Sequence, residues 1–318
     1  MKTIEWGYLI INYLFLGGLS AGLFFVSAVA TFLHNGDDRY QRIARWGALL
    51  APWPVALGSL LLIFDLGNWY RFYKLFFHFR WISPMSIGSW LLMLFTLLAL
   101  TYAYSWLNGG ERAWLLAHVP RRLAALRTCL RDLSGLRRTL AALGLPLAVG
   151  VGIYTGVLLG AVQSRPFWNT NLVAQLFLFS ALSTGCAGLM FAFAFSRQPM
   201  AVAELRMLYL LDICFLTLEF FVVLPYLVHS QLSVEAVRQS MHLILGGPFT
   251  FVFWVFFLWF GLLLPLGIEV GEMMPALLSK SGLHARKWLV GTTAVLILSG
   301  GFLLRYVFVF AGQMSAFK

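Results

Sequence analysis

Charge is what this sequence most lacks. Asp, Glu, Lys and Arg make up 11% of the 318 residues, and only 12 of them are carboxylates. A soluble globular chain carries roughly a quarter charged residues. A water-soluble fold of this length could not hide a composition that is 60% hydrophobic, whereas a bilayer removes the need to hide it. Cysteine is scarce as well. Cys129, Cys186 and Cys214 show no C-x-x-C spacing, so they cannot supply the four thiolates of an iron–sulfur cluster or a structural zinc site. Cys186 and Cys214 fall within apolar segments, where small buried thiols are expected. Histidine is missing from the middle of every apolar run: His34, His78, His118, His229, His242 and His284 fall in loops or at span ends. That placement excludes haem held between facing spans by histidine.

What the sequence does have is eight apolar runs, at about 7–33, 43–66, 83–107, 139–162, 169–195, 206–229, 247–270 and 286–311. Each meets the roughly 17–25 residues that a helical span requires. Backbone satisfaction in lipid leaves helices or closed barrels, and runs this long exclude barrel strands. The expected fold class is an all-α integral membrane protein of eight transmembrane helices, forming a single domain over 1–318. The first run is longer than a signal-peptide core of roughly 7–15 residues and is read as a span.

The net charge of +11 could suggest nucleic acid, but the cations sit between apolar spans, so topology explains them and no nucleic-acid partner is expected. One set of loops (35–42, 108–138, 196–205 and 271–285, with their flanks) holds 15 of the 23 lysines and arginines. The opposite set holds 7, and Arg305 lies inside a span. The positive-inside bias puts the first set in the cytoplasm and both termini outside. In the loop 108–138, arginines among leucines suggest a basic amphipathic helix on the cytoplasmic surface. It would anchor to anionic lipid or dock a cytoplasmic partner.

An internal echo links Phe15-Leu16-Gly17-Gly18-Leu19-Ser20-Ala21-Gly22 in the first span with Leu178-Phe179-Ser180-Ala181-Leu182-Ser183-Thr184-Gly185 in the fifth. Both spans run the same way, so a duplication into two four-helix bundles would fit. Small residues at helical spacing also recur wherever membrane helices pack closely.

Intramembrane ionisable residues are costly and so point to function by default. They are Asp65 near the outer end of the second span, Asp212 and Glu219 in the sixth, Glu269 in the seventh and Arg305 in the eighth. Asp212 and Glu219, seven residues apart, share a helix face. A static Glu219–Arg305 or Asp65–Arg305 ion pair is one account of them; a proton path through Asp212, Glu219, Glu269 and Arg305 is the other.

On the outer side, Asp65, Arg71, Ser83, Arg165, Trp6 and Tyr154 gather among aromatics. Interfacial belts and a Ser-Pro helix start account for much of this pattern. Polar donors among aromatics at one membrane face also suit a quinone head group, whose carbonyls need donors and whose ring prefers apolar walls. At these residues the sequence resembles the NrfD/PsrC family, the membrane subunits of polysulfide reductase and related complexes. The resemblance is carried by Tyr13-Leu14-Phe15-Leu16-Gly17-Gly18-Leu19-Ser20-Ala21-Gly22, the stretch from Asp65 to Arg71, Ser83-Pro84-Met85-Ser86 with Gly88 and Trp90, and Tyr154-Thr155-Gly156. Arg165-Pro166-Phe167-Trp168-Asn169 and Gly300-Gly301-Phe302-Leu303-Leu304-Arg305-Tyr306 with Ala311-Gly312-Gln313 complete it.

The resemblance implies oxidation of menaquinol or ubiquinol, or reduction of the quinone, with no haem or iron–sulfur cluster in this chain. It implies electron exchange with a four-cluster ferredoxin-like iron–sulfur subunit on the outer surface, which serves a catalytic molybdopterin or multihaem subunit; a sulfur compound such as polysulfide is the first expectation for the substrate. Carried over by position, Tyr154 would hydrogen-bond the quinone, Tyr13 stands where the family has a quinone-site histidine, and Asp65 would take protons or orient the site with Arg71. Ser83 and Arg165 complete the expected quinone site, and the expected location is the bacterial inner membrane. Two other readings remain: a secondary transporter with an ion site at Glu219 and Arg305, and a purely structural anchor.

Overall fold

The computed structural model describes residues 6–33, 38–65, 80, 83–118, 133–198, 200–278 and 286–315. Every described element is helical: α1 (Tyr8–Leu33), α2 (Gln41–Leu50), α3 (Pro52–Asp65), α4 (Pro84–Ser105), α5 (Gly109–His118), α6 (Arg137–Gly160), α7 (Leu172–Ala194), α8 (Val202–Leu232) and α9 (Glu235–Leu245). A π-helical segment (Val252–Leu263) then runs directly into α10 (Leu264–Leu278), and α11 (Lys287–Met314) follows. Among the described residues, eight helical stretches are long and apolar enough to cross a membrane, with α2–α3 and the π segment–α10 each forming one span. The chain is a multi-pass integral membrane protein, and its spans match the eight apolar runs within a few residues. The main differences lie in α8, which reaches from Val202 to Leu232, and in the seventh span, which lies some five residues later. Of the basic loop, α5 is described; the expected amphipathic arginines at 121–131 lie outside the described residues.

Local chemistry accounts for the breaks. Pro52 and Pro54 have no N–H to donate, so the second span is interrupted at Ala51. The Ser20 hydroxyl of α1 donates to the Ala51 carbonyl at 2.5 Å and satisfies it there. Ser83 caps α4, its side chain accepting from the Ser86 N–H at 3.4 Å, with Pro84 in the first turn. The π segment ends two residues before Pro265.

Helices in lipid gain little from apolar burial against one another, so small residues decide where backbones meet. The tightest such place is Gly22 of α1 against Gly185 of α7, where a Cβ on either would overlap the other's backbone. These are the matching positions of the internal echo, facing each other as the two copies of a duplicated element would across a pseudo-twofold axis. The packing on either side agrees. In the first half α1 packs on α3, α2 and α6, and α4 on α6; in the second, α7 packs on α8 and α11, and the π segment on α11. Two four-helix halves thus meet along α1, α6 and α7. Both termini lie on one face: the Gln313 amide accepts from the Trp6 N–H at 2.8 Å and donates to the Trp6 carbonyl at 2.9 Å.

On the opposite, arginine-rich face, Arg42 pairs with the buried Glu204 at 3.4 Å, and Glu204 also accepts from the Ala201 N–H. Arg45 pairs with Glu111 at 2.7 Å. The Asn108 N–H, first, and then Arg45 hold the Glu111 carboxyl below the usual carboxylate range. Cys186 is buried as expected, but Cys214 is exposed: it sits on the outer side of α8, where lipid supplies the apolar surroundings that protein was expected to give.

Candidate functional site

Tyr13 of α1 and Tyr154 of α6 neighbour each other inside the first four-helix half, on the termini side. Two glycines make the space. A methyl on Gly88, in the second turn of α4, would overlap the Tyr154 phenol, and Gly58 of α3 lies against the Tyr13 backbone and ring. Tyr13 is 1% exposed, and its hydroxyl has no hydrogen-bond partner. A buried phenol normally finds one. The pair therefore presents a polar oxygen without a protein partner among apolar helix faces.

The other expected members are distributed around this pair. Asp65 ends α3 and is exposed. Ser83 serves as the α4 cap, and Ser86 beside it accepts from the Arg80 N–H at 3.1 Å. Arg71 lies outside the described residues. Arg165 is committed elsewhere: its guanidinium donates to the Gln313 carbonyl. It belongs to a knot in which Trp6 stacks on Trp168 at 5.2 Å, Trp168 Nε1 donates to the Phe308 carbonyl at 2.7 Å, and Tyr226 donates to the Phe167 carbonyl at 3.1 Å. The Arg165–Asn169 motif thus ties the chain ends together. A cavity of about 650 Å³ opens beside that motif, lined by Gly156, Gly160, Asn169, Asn171 and His229. Gly156 follows Tyr154 by two residues, so this cavity lies on the far side of α6 from the tyrosine pair.

Arg305 is fully buried. Its Nε donates to the Leu14 carbonyl at 3.2 Å, and its Nη1 donates to the Gly301 carbonyl at 2.6 Å and to Ser180 at 3.4 Å. Phe15 and Phe177 present their rings to it at 5.7 and 5.4 Å. Among the described residues Arg305 forms no ion pair, so neither Glu219 nor Asp65 is its contact partner. Glu219 acts on it only from a greater distance. The static pairs expected from sequence are replaced by carbonyls and aromatic faces, and Gly18 makes room for the guanidinium.

Asp212 of α8 and Glu269 of α10 face each other deep in the other half, beside Ser183 of α7. Both are 0% exposed, and none of their four oxygens has a hydrogen-bond partner. Ser180, Ser183 and Tyr209 were absent from the residues singled out by sequence. Ser180 and Ser183 did fall within the internal echo, which was the one signal available for them.

The profile of the family described as "Polysulphide reductase, NrfD" matches residues 1–316. The chain is 31% identical to Protein NrfD of Escherichia coli over 99% of its own length and 96% of that protein. It is 30% identical to the C chain of polysulfide reductase from Wolinella succinogenes, over 98% and 95%. The C subunit of a selenate reductase from Mesobacillus selenatarsenatis is 26% identical, over 92% and 73%. The chain belongs to the NrfD family of polysulphide reductase membrane subunits. Among the described residues, no three His, Cys, Asp or Glu side chains gather as metal ligands would.

Proposed function

We propose that this chain is the quinol-handling membrane subunit of a respiratory oxidoreductase in the bacterial inner membrane, with the Tyr13–Tyr154 pair at its quinone site and the termini face outward. The observation that carries the proposal is the buried Tyr13 hydroxyl with no partner, set beside Tyr154, with Gly58 packed against Tyr13 and Gly88 against the Tyr154 phenol. A quinone carbonyl or quinol hydroxyl supplies what that oxygen lacks, so the residues fit the group. When bound, menaquinone or ubiquinone supplies two-electron chemistry coupled to two protons.

Tyr154 and Tyr13 then orient the head group by hydrogen bonds, and the apolar faces of α1, α4 and α6 exclude water. Asp65, at the exposed end of α3, takes protons from the site to the surface, with Arg71 beside it in sequence. Glu219, Asp212 and Glu269, with Arg305, are the candidates for a relay toward the arginine-rich face. Electrons pass to a separate four-cluster iron–sulfur subunit on the termini face, and from it to or from a molybdopterin or multihaem subunit. The relatives named for polysulfide and selenate reductases support a catalytic reductase partner, with a sulfur compound as the first candidate substrate.

The test is Tyr154→Phe, with Tyr13→Phe beside it, in the complex assembled with its partner subunits. Loss of one hydrogen bond to the reacting head group, about 1.4 kcal/mol or more, gives at least about tenfold slower quinol-dependent electron transfer. Assembly stays normal. Unchanged turnover in both variants removes the site.

A further inference from the structure

The tyrosine pair leaves unexplained a second group of buried oxygens without partners among the described residues. Asp212 Oδ1 and Oδ2, Glu269 Oε1 and Oε2, Ser183 Oγ and Tyr209 OH all lack a hydrogen-bond partner. The four residues are 0–1% exposed. They come from three helices and converge. Ser183 of α7 and Glu269 of α10 act on Asp212, and Tyr209, one turn before Asp212 on α8, acts with both carboxyls. Buried oxygens without a partner are costly unless a proton or an ion satisfies them.

No cation of the protein does so: among the described residues no Lys, Arg or His acts on either carboxyl. Arg305 acts on Glu219 instead. The other titratable groups facing the pair are Glu219, seven residues beyond Asp212 on α8, the Cys186 thiol and, through Tyr209, Glu272. Two carboxyls side by side therefore need positive charge from outside. A proton shared by the two carboxyls, with Ser183 close to Asp212, still leaves the Tyr209 hydroxyl and the remaining carboxyl oxygens without a partner. A small hard cation engages carboxylate and hydroxyl oxygens together, from any direction. Its charge is limited by the dehydration cost, which rises as the square of the charge and weighs against a divalent ion in a closed site within a span.

We propose that Asp212, Glu269, Ser183 and Tyr209 form an oxygen cage that binds one sodium ion in competition with a proton. With one cation and one proton bound the cage is neutral. Glu269 is joined to the arginine-rich face by Glu272, three residues on along the same side of α10 and partly exposed, which gives the ion a route in. Asp212 lies ten residues from the start of α8 at Val202, about 15 Å along the axis. The site lies in the other half from the tyrosine pair and does not rest on the quinol reading; it adds a ligand to two of the residues proposed there as a relay.

Dicyclohexylcarbodiimide tests it, because it adds to a protonated buried carboxyl and leaves a stable acylurea that peptide mass spectrometry can locate. The full chain in phospholipid nanodiscs is labelled at one pH in choline chloride or in sodium chloride at equal ionic strength. With sodium at about ten times its dissociation constant, labelling of Asp212 or Glu269 slows about tenfold. Ser183→Ala, which leaves the carboxyls in place, weakens that protection several-fold. Glu269→Gln abolishes sodium protection at Asp212, and size-exclusion profiles of both variants establish that they fold.

Equal labelling in sodium and choline overturns the cage and leaves a proton-only pair, with the tyrosine site untouched. Protection by calcium or magnesium but not sodium also overturns it. So does failure to label either carboxyl in choline.

Discussion

At the scale of single residues, the protein meets its buried polar groups in two ways. Arg305 Nε and Nη1 donate to fixed oxygens of α1, α7 and its own helix, its Nη2 has no hydrogen-bond partner, and its charge faces two aromatic rings. The carboxyls of Asp212 and Glu269 are left without such partners. The surface shows the simpler case. Glu111 is held below the usual carboxylate range, so the stability it contributes is present above the unfolded value near pH 4.3 and is lost as pH falls through the lower folded value. Glu111→Gln should therefore reduce hydrogen-exchange protection of α5 a few-fold at pH 7. The difference between variant and parent should close at a pH below the folded value. A difference that persists there would assign the effect to packing rather than charge.

At the scale of elements, close backbone approach governs. Gly22 and Gly185 leave no room for a methyl, whereas Gly267 on α10 has open space around its Cβ position. Gly22→Ala and Gly185→Ala should each destabilise the α1–α7 crossing by about 1–3 kcal/mol, the usual cost of overpacking. Gly267→Ala should be nearly neutral. Unfolding of the purified chain in mixed detergent measures all three, and equal stability of Gly22→Ala and Gly267→Ala would remove the role given to the crossing. The glycines were visible in the sequence as a repeated pattern. That they meet each other was not, since spacing along one helix says nothing about what lies across from it.

For the whole molecule, the two faces differ in charge, and the proposed orientation rests on that difference. With the native cysteines replaced by serine, Gln163→Cys on the termini face should react with a membrane-impermeant thiol reagent in intact cells. Arg197→Cys on the arginine-rich face should react only after permeabilisation. The reverse pattern would invert the proposed orientation and with it the face offered to the iron–sulfur subunit.

The scarcity of charge and its placement along the chain already give the membrane class, the eight spans and the buried ionisable residues. Each of these follows from local composition and from the cost of leaving polar groups in lipid. The sequence also pointed to Tyr13 and Tyr154, through resemblance. The tertiary structure decided which polar groups meet. It brought Tyr13 beside Tyr154, with Gly88 against the Tyr154 phenol, assigned Arg165 to the chain ends and Arg305 to backbone carbonyls, and set Glu269 against Asp212 beside Ser183 and Tyr209. The reason is geometric. In lipid, hydrophobicity sets the length of a helix but not its rotation; small residues and hydrogen bonds between helices set the rotation, and with it the partner of every buried side chain.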